Sequence, residues 1–339
     1  MKKKHIALGV GGAIGAAIAW KMISRPDTVS WEANRLLVDH SDNSNFVDID
    51  GISIHYQEFG DPSDPTLMLV HGFTASTYVW KTVAPMLAER GFHIVAPDLP
   101  GFGYSAKPSW YDYSIASHSR VLLRFMNRLG IGKVTMVGSS YGGAVCIWFT
   151  LDNPERVSKL VLVDAVCNND PKNHPILKLA SVPGVGEVIT PFLVDSKAFL
   201  KFRMQGTLDP SNHELITAER IESIQRPIKA ADGHRSVLLT SRNWNAERIE
   251  RDAHLIDQPT LLIWGDNDRV IPIECGEWLY DNILNSRFVV LKNCGHVPME
   301  EKPEIFTDLV VEFCSNPKGR LAESDSEDVR IEQAGNVED

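Results

Sequence analysis

One segment, Met136 to Gly143, constrains the fold of this chain more than any other. It reads Met-Val-Gly-Ser-Ser-Tyr-Gly-Gly and overlaps an apolar run, Val134 to Val137, that is typical of a buried strand. The residues that follow, 144–149, are apolar and continue well as a helix. The pattern therefore predicts a serine on a tight turn between a strand and a helix.

The glycines of this segment decide which serine lies at the centre of the turn. The positions two before and two after the central residue are crowded, so they require small residues. Gly138 and Gly142 flank Ser140 at this spacing, whereas a turn centred on Ser139 would place valine and tyrosine there. The spacing favours Ser140 as a candidate nucleophile, although matches of this kind also occur in ordinary turns.

The rest of the chain alternates between apolar runs typical of strands and stretches typical of helices. The predicted strands cover residues 47–49 and 52–59, paired as a hairpin, and residues 66–70, 93–97, 134–137, 157–163, 260–264 and 288–291. The predicted helices cover residues 79–90, 115–129, 274–284 and 305–313. This alternation predicts an α/β fold with a mostly parallel, eight-stranded sheet flanked by helices.

Changes in composition divide the chain into five segments. A hydrophobic segment spans residues 1–30, and the alternating core is split into residues 46–166 and 245–315. Between the two core parts, residues 167–244 carry several prolines and helix-like stretches, such as 196–204 and 214–224. Because a structureless loop of this length is improbable in a compact domain, we predict a helical lid insertion. Residues 316–339 are polar and acidic and are predicted to be disordered.

The N-terminal segment carries three lysines, Lys2 to Lys4, followed by an uncharged run, residues 6–20. That run is short for a spanning helix of about 20 residues, but apolar residues continue past Lys21. We predict a single-pass N-terminal anchor that holds the protein at a membrane. The alternative is a signal peptide cleaved after Ala17-Ile18-Ala19, which would give a secreted or periplasmic protein.

Charge and cysteine content argue against several classes of partner and site. The net charge is −10 at pH 7 and no basic cluster occurs beyond the N-terminus, which argues against nucleic acid as a partner. The cysteines are odd in number and widely spaced, so neither a structural zinc site nor a disulfide framework is expected. The five are Cys146, Cys167, Cys275, Cys294 and Cys314, and we interpret most of them as small buried residues.

A nucleophilic serine needs a base in hydrogen-bond contact and an acid that orients the base. Such groups gather at the carboxyl ends of the strands in an open α/β sheet. His296 lies just after the last predicted strand and is the favoured base. Asp268 follows the preceding core strand and is the favoured acid, because its loop can reach the histidine. Asp164, at another strand end, is a rival for the acid.

Together these features resemble the α/β-hydrolase family over about residues 47–314. The order Ser140, Asp268, His296 is the order found in that family. The matching motifs are His71-Gly72-Phe73, residues 98–105, residues 138–143, residues 264–268 and Gly295-His296. Five ordered motifs at strand ends are far more specific than any one of them.

The resemblance implies roles for residues that spacing alone does not assign. The backbone N–H groups of Phe73 and Tyr141 are expected to form the oxyanion hole, with His71 and Gly72 shaping the loop. Residues 98–105 are expected to be structural. The resemblance implies neither a metal nor an organic cofactor.

The nucleophile separates several chemistries within this family. Epoxide hydrolases and haloalkane dehalogenases carry an aspartate where this chain has Ser140. An epoxide hydrolase would also be expected to carry lid tyrosines, yet no tyrosine lies between Tyr141 and Tyr280. Carbon–carbon bond hydrolases of ring-cleavage products use serine but commonly place a tryptophan after the histidine, where this chain has Val297.

The expected activity is therefore hydrolysis of a small-molecule carboxylic ester. Apolar lid residues such as Phe192, Phe199 and Phe202, together with the predicted anchor, suggest a lipid or monoacylglycerol substrate. The chain looks most like the membrane-anchored, monoacylglycerol-lipase-like esterases. Packing of the lid on the sheet would explain the same aromatic residues. The alternatives are a carbon–carbon bond hydrolase of ring-cleavage products and a ligand-binding member without turnover.

Overall fold

The structure, a computed structural model, describes residues 25–173, 175–321 and 328–333. Its strands are β1 (Ser44–Ile49), β2 (Ile52–Phe59), β3 (Thr66–Val70), β4 (His93–Pro97), β5 (Val134–Ser139), β6 (Val157–Val163), β7 (Thr260–Gly265), β8 (Ser286–Leu291) and β9 (Val329–Gln333). They form one sheet in the order β1-β2-β4-β3-β5-β6-β7-β8-β9. Strands β3 to β8 run parallel to one another, whereas β1, β2 and β9 pair antiparallel. The predicted mostly parallel α/β sheet is confirmed.

The α-helices surround this sheet and supply the connections between the parallel strands. They are α1 (Trp31–Asn34), α2 (Val83–Glu89), α3 (Ile115–Arg128), α4 (Tyr141–Asp152), α5 (Pro175–Ser181), α6 (Val185–Asp195), α7 (Lys197–Thr207), α8 (Ala218–Gln225), α9 (Ala231–Arg242), α10 (Glu247–Asp252), α11 (Ile273–Asn282), α12 (Pro298–Glu301) and α13 (Pro303–Ser315).

Each face of the sheet has its own apolar core, which explains why the central strands are continuous apolar runs. Successive residues of β5 belong to opposite cores: Met136 to one and Val137 to the other. The first core includes Phe125 of α3, and the second includes Leu87 of α2 and Phe306 of α13. Each fully buried side chain of this size contributes roughly 1.5–3 kcal/mol. The two cores fix the sheet that carries the candidate site at its carboxyl edge.

The segment between β6 and β7 is largely helical, as expected for the predicted insertion. The predicted helical stretches 196–204 and 214–224 correspond to α7 and α8, whereas α5, α6 and α9 have no counterpart in the sequence prediction. Proline 191 lies inside α6, and α9 begins with Ala-Asp-Gly-His, so local propensity is weak in both. Burial of Val237 and Leu238 in α9 indicates that tertiary packing stabilises that helix.

Strand β9 corrects two predictions at once. The sheet has nine strands rather than eight, and the additional strand lies inside the acidic tail that was predicted to be disordered. That prediction is wrong for residues 329–333, which pair antiparallel with β8 from Arg287 to Leu291. A polar segment can add to a sheet because the pairing uses backbone groups, which the side-chain composition does not reveal.

A disulfide between Cys167 and Cys275 corrects the prediction from cysteine spacing. The two residues are 108 positions apart, but the fold brings their Cα atoms to 5.8 Å. Cys167 follows β6 at the start of the predicted insertion, and Cys275 lies in the first turn of α11. Cys146 and Cys294 are free and buried, as predicted, and Cys314 is half-buried.

Residues 1–24, which hold most of the predicted anchor, lie outside the described residues. In the part of the chain that the structure does describe, no helix is both long and apolar enough to cross a membrane. The residues directly after this segment contact the start of α9. The carbonyls of Pro26 and Asp27 each accept a backbone hydrogen bond of 3.0 Å, from Ala231 and Asp232 respectively.

Candidate active site

Ser140 lies at the junction of β5 and α4 in a strained conformation. Its φ is 54° and its ψ is −119°, a combination that residues with a side chain seldom adopt. Hydrogen bonds to the chain after β6 hold this turn in place: the Ser140 N–H donates to the Val163 carbonyl at 2.9 Å, and the Val166 N–H donates to the Ser140 carbonyl at 3.1 Å. The geometry is that of the strand-to-helix elbow predicted from sequence.

The two glycines of the elbow are required by close contacts. A Cβ atom at Gly138 would lie 2.6 Å from the Cys146 Sγ atom and 2.7 Å from the Gly142 carbonyl oxygen. A Cβ atom at Gly142 would lie 2.3 Å from the Val70 carbonyl oxygen. Any larger residue would therefore displace the backbone of the turn.

His296 and Asp268 meet at the carboxyl edge, in the loops after β8 and β7. The His296 Nδ1 atom lies 2.7 Å from Asp268 Oδ2. Asp268 Oδ1 accepts the backbone N–H groups of Val270 and Ile271 at 2.7 and 3.1 Å. The Asp268 side chain is fully buried and that of His296 is 8% exposed. The contact with Asp268 engages Nδ1 of His296, which leaves Nε2 available as a proton acceptor.

Ser140 and His296 both line one cavity above the sheet edge. Among the hydrogen bonds of the described residues, none joins the serine hydroxyl to the imidazole. Rotation about the serine χ1 redirects Oγ without moving the backbone, and such contacts are often loose before a substrate binds. The structure thus brings the three predicted residues to one site, with the histidine–aspartate contact formed.

Asp164, the rival acid, lies beside Asp268, and of the two it is Asp268 that contacts His296 at hydrogen-bond distance. One ligand atom of each of Asp164, Asp268 and His296 lies within 4.8 Å of the others. Asp164 Oδ1 accepts the Gly265 N–H at 3.0 Å, while Oδ2 is buried and receives no N–H or O–H group from the described residues. Burial, the charge of Asp268 and a hydrogen bond to the Asp268 side chain raise the pKa of Asp164 well above its usual value. The raised pKa favours the protonated form of Asp164 beside Asp268.

The same three residues form a grouping of the size that binds a metal ion. The His296 Nδ1 atom, however, is engaged with Asp268 at hydrogen-bond distance. A nitrogen that donates a proton to a carboxylate cannot offer that lone pair to a cation. The hydrogen-bond geometry favours an acid–base arrangement over a metal centre.

Glu301 organises the histidine loop, a role that the sequence analysis missed. Its carboxylate accepts the backbone N–H groups of Gly295 at 3.0 Å and Val297 at 3.4 Å, on either side of His296. It also accepts the Asp209 N–H and the Asn212 side-chain amide, both at 2.8 Å, from the chain after α7. The only sequence signal was an acid five residues after the histidine. Glu301 links the catalytic loop to the insertion.

The backbone N–H groups of Phe73 and Tyr141 are the predicted oxyanion donors. Tyr141 is the first residue of α4, where an N–H group has no partner within the helix and the helix dipole favours negative charge. Neither N–H group donates a hydrogen bond inside the described ranges of the chain. Both residues adjoin the cavity that contains Ser140, because Phe73 lines it and Tyr141 follows the serine directly.

The loop around Phe73 is held by buried polar contacts. The His71 Nδ1–H group donates to the Gly72 carbonyl at 2.8 Å, and His71 Nε2 accepts the Leu99 N–H at 3.0 Å. Burial lowers the pKa of His71, which agrees with a neutral ring. Asp98 is also fully buried and contacts His55 Nδ1 at 2.7 Å. These contacts agree with the structural roles that the resemblance implied for His71 and residues 98–105.

The cavity has a volume of about 820 Å³, within the range of small-molecule sites. Its walls come from the sheet edge and from the helical segment, and they are mostly apolar. Apolar lining residues include Leu193, Val194, Phe199, Leu200, Val237 and Trp244. An apolar chain that enters this cavity has direct access to Ser140.

Comparison with known proteins identifies relatives over most of this fold. The sequence profile of the α/β hydrolase fold family matches residues 65–185 and 215–303. An uncharacterised hydrolase, YugF of Bacillus subtilis (strain 168), is 28% identical over 268 residues, which cover 78% of this chain and 95% of that protein. A 2-hydroxy-6-oxononadienedioate/2-hydroxy-6-oxononatrienedioate hydrolase of Pseudomonas putida is 27% identical, with 82% of this chain and 99% of that protein covered.

Among solved structures, a membrane phospholipase A described as a bacterial virulence factor superposes with a TM-score of 0.69. It is 25% identical in sequence, and the match covers 94% of this chain and 99% of that one. These relatives share the fold, but the reactions given in their names differ.

Proposed function

We propose, for a chain that belongs to the α/β-hydrolase family, that it is a serine hydrolase that cleaves carboxylic esters through an acyl-enzyme on Ser140. One observation carries the proposal. His296, which contacts Asp268 at 2.7 Å, lines the same cavity as Ser140, and Ser140 lies on a strained strand-to-helix turn. A serine, a base and an orienting acid in one cavity are what acyl transfer requires.

In the proposed acylation step, the Ser140 oxygen attacks the ester carbon while His296 Nε2 takes the hydroxyl proton. Asp268 holds the proton on Nδ1, so that Nε2 is the free base. The developing oxyanion is stabilised by the N–H groups of Phe73 and Tyr141, each worth about 10²–10³ in rate in comparable sites. His296 then protonates the leaving alcohol, and the carbon–oxygen bond breaks.

Deacylation repeats the same proton transfers with water as the nucleophile. His296 takes a proton from water as the water oxygen attacks the acyl carbon, and then returns that proton to Ser140. The carboxylic acid leaves and the enzyme is restored. No step requires a group beyond these side chains and water.

The proposed substrates are lipid esters such as monoacylglycerols. Support comes from the apolar cavity, which is large enough for an acyl chain. The similarity to a membrane phospholipase A over nearly the whole chain adds to it. A membrane anchor within residues 1–30 remains part of this proposal, because it would hold the cavity near such substrates.

A fluorophosphonate probe and a panel of ester substrates test the proposal. The wild-type protein should be labelled covalently and should hydrolyse p-nitrophenyl esters and monoacylglycerols of graded chain length. The Ser140→Ala variant should lose both labelling and turnover, whereas Ser139→Ala, on the neighbouring residue, should keep its probe reactivity. Absence of Ser140-dependent labelling would contradict the hydrolase proposal. The remaining alternative would then be a ligand-binding member of the fold without turnover.

Carbon–carbon bond hydrolysis is the second candidate, because curated relatives include a hydrolase of a ring-cleavage product. Against it, Val297 follows His296 in this chain. An assay of turnover with a 2-hydroxy-6-oxo dienoate, monitored through the loss of its absorbance, distinguishes the two candidate functions. If this compound is cleaved much faster than any ester in the panel, the second candidate replaces the first.

A further inference from the structure

The cavity carries more positive than negative charge, although the protein as a whole is acidic. Three arginines, Arg203, Arg220 and Arg269, line it together with a single acid, Glu300. The net charge of the chain is −10, so a positive cavity runs against the overall balance. In a concave site with apolar walls, charges of one sign strengthen the electric field that a ligand encounters.

Two of the three arginines have acids nearby. Arg220 contacts both carboxylate oxygens of Glu300, and both side chains are 7% exposed, so this pair is neutral overall. The positive charge of Arg269 helps to lower the pKa of Asp209. Hydrogen bonds from Ser211 and Asn267 lower the same pKa more strongly. Each of these two arginines therefore has an acidic residue near its charge.

Arg203, in α7, differs from both. Its side chain is solvent-accessible where it lines the cavity, and it makes neither a hydrogen bond nor an ion pair with any described residue. The surrounding protein nevertheless lowers the pKa of its guanidinium through desolvation, with no nearby charge acting on it. Arg203 is therefore a cation at the cavity wall that no side chain of the described residues neutralises.

We propose that Arg203 binds an anionic group of the substrate, and that the natural substrate is an acidic amphiphile whose apolar chain fills the rest of the cavity. A guanidinium presents paired N–H donors that match the two oxygens of a phosphate or a carboxylate. This inference rests on the proposed ester hydrolysis for the cleaved bond. It narrows the proposed lipid esters to acidic ones, so that neutral monoacylglycerols would be the poorer substrates.

The decisive comparison uses esters that share the lauroyl chain and differ in charge. Monolauroylglycerol is neutral, lauroyl lysophosphatidic acid carries a phosphate, and lauroyl lactate carries a carboxylate. The wild-type protein should prefer one of the acidic esters. Arg203→Gln should raise KM for that ester roughly 10- to 100-fold, the range for a lost charge-assisted contact, and should change KM for monolauroylglycerol less than about 2-fold. Comparison of the phosphate with the carboxylate ester identifies which anion is bound.

Two variants control for effects of folding and of charge alone. Lys201→Gln removes a positive charge from an exposed position of the same helix, outside the cavity lining, and should leave every KM unchanged. Arg203→Lys keeps the charge but loses the paired geometry, so its KM for the acidic ester should lie between those of wild type and Arg203→Gln. An equal effect of Arg203→Gln on neutral and acidic esters would overturn the inference.

A binding measurement separates failure of this inference from failure of the proposed function. Dodecyl phosphate has no ester carbonyl for Ser140 to attack, so its affinity can be measured by titration calorimetry even if no ester is turned over. Wild type and Ser140→Ala should bind it equally, and Arg203→Gln should bind it at least about 10-fold more weakly. If Arg203→Gln binds dodecyl phosphate as tightly as wild type does, the anion site is wrong even where esters are hydrolysed.

Discussion

Asp164 is the residue at which burial and charge conflict most sharply. It is fully buried, has a φ of 44°, and within the described part of the chain receives a hydrogen bond from the Gly265 N–H alone. Two adjacent buried carboxyl groups cannot both ionise without a large cost, and Asp268 is the better solvated of the two by hydrogen bonds. We infer that protonated Asp164 donates to Asp268 and so fixes the acid of the triad.

Replacement of Asp164 by asparagine should stabilise the protein at neutral pH. An amide keeps an oxygen for the Gly265 N–H and an NH₂ group for Asp268. The wild-type carboxyl keeps its proton when folded but releases it when unfolded above about pH 4, so wild-type stability falls as pH rises above that value. The gain in melting temperature of Asp164→Asn should therefore be near zero at about pH 4 and increase towards pH 8.

Thermal unfolding of both proteins across this pH range checks the prediction. Asp266→Asn is the matched control, since this exposed aspartate lies in the loop after β7 that also carries Asp268, and it should not reproduce a gain in melting temperature that grows with pH. If Asp164→Asn were less stable than wild type by a constant amount, Asp164 would not be the protonated partner. Its esterase activity should stay near that of wild type.

Replacement of Asp268 by asparagine should instead reduce catalysis. An asparagine at this position can donate to His296 Nδ1, which would place the ring proton on Nε2 and remove the base. We expect kcat to fall by about 10⁴ with KM changed little, measured on the best p-nitrophenyl ester. Near-normal turnover would transfer the role of the acid to Asp164, and Asp164→Asn would then be the inactive variant.

At the scale of elements, the disulfide joins the two parts of the chain that flank the insertion. Cys167 begins the segment that leads into α5, and Cys275 lies in α11, shortly after the loop that carries Asp268. The bond therefore ties the base of the helical segment to the helix that follows the acid loop. Disulfides of this kind persist in oxidising compartments.

Removal of this disulfide should destabilise the protein by about 2–4 kcal/mol, because the cross-link restricts the unfolded chain. The double variant Cys167→Ser/Cys275→Ser should melt at a lower temperature than wild type. A reducing agent should lower the wild-type melting temperature to a similar extent and leave the double variant unchanged. Cys314→Ser, which removes a free cysteine, is the control. A wild-type melting temperature insensitive to reduction would contradict the bond.

At the scale of the whole molecule, the described chain begins beside the insertion. Arg25 contacts His234 of α9 at 3.0 Å, and the next residues bond to the start of the same helix. A membrane segment within residues 1–24 would therefore bring the bilayer surface close to the helices that wall the cavity. If residues 1–24 do form such a segment, substrates would enter the cavity from the membrane side.

Membrane attachment through the N-terminal segment is tested by extraction. The full chain should remain in the membrane pellet after carbonate or high-salt washing, because an inserted segment resists both. A variant that lacks residues 1–24 should appear in the supernatant and keep its activity on water-soluble esters. Release of the full chain by carbonate would argue against insertion, and a shortened mature protein would indicate the cleaved signal peptide.

The sequence by itself determined the strands of the central sheet and the three residues of the candidate triad. Buried parallel strands are short continuous apolar runs, so their positions can be predicted locally. Ser140 could be located because the crowding at Gly138 and Gly142 depends on immediate neighbours. His296 and Asp268 could be located because strand ends gather at one edge of the sheet.

Only the tertiary structure decided the contacts between residues far apart in the chain. The Cys167–Cys275 bond and the proton shared by Asp164 and Asp268 depend on loops brought together by the sheet. Glu301 bonds to the histidine loop and to the segment after α7, and β9 pairs through backbone groups that any side chains permit. Local sequence patterns record propensity and burial, whereas these features depend on which distant segments become neighbours.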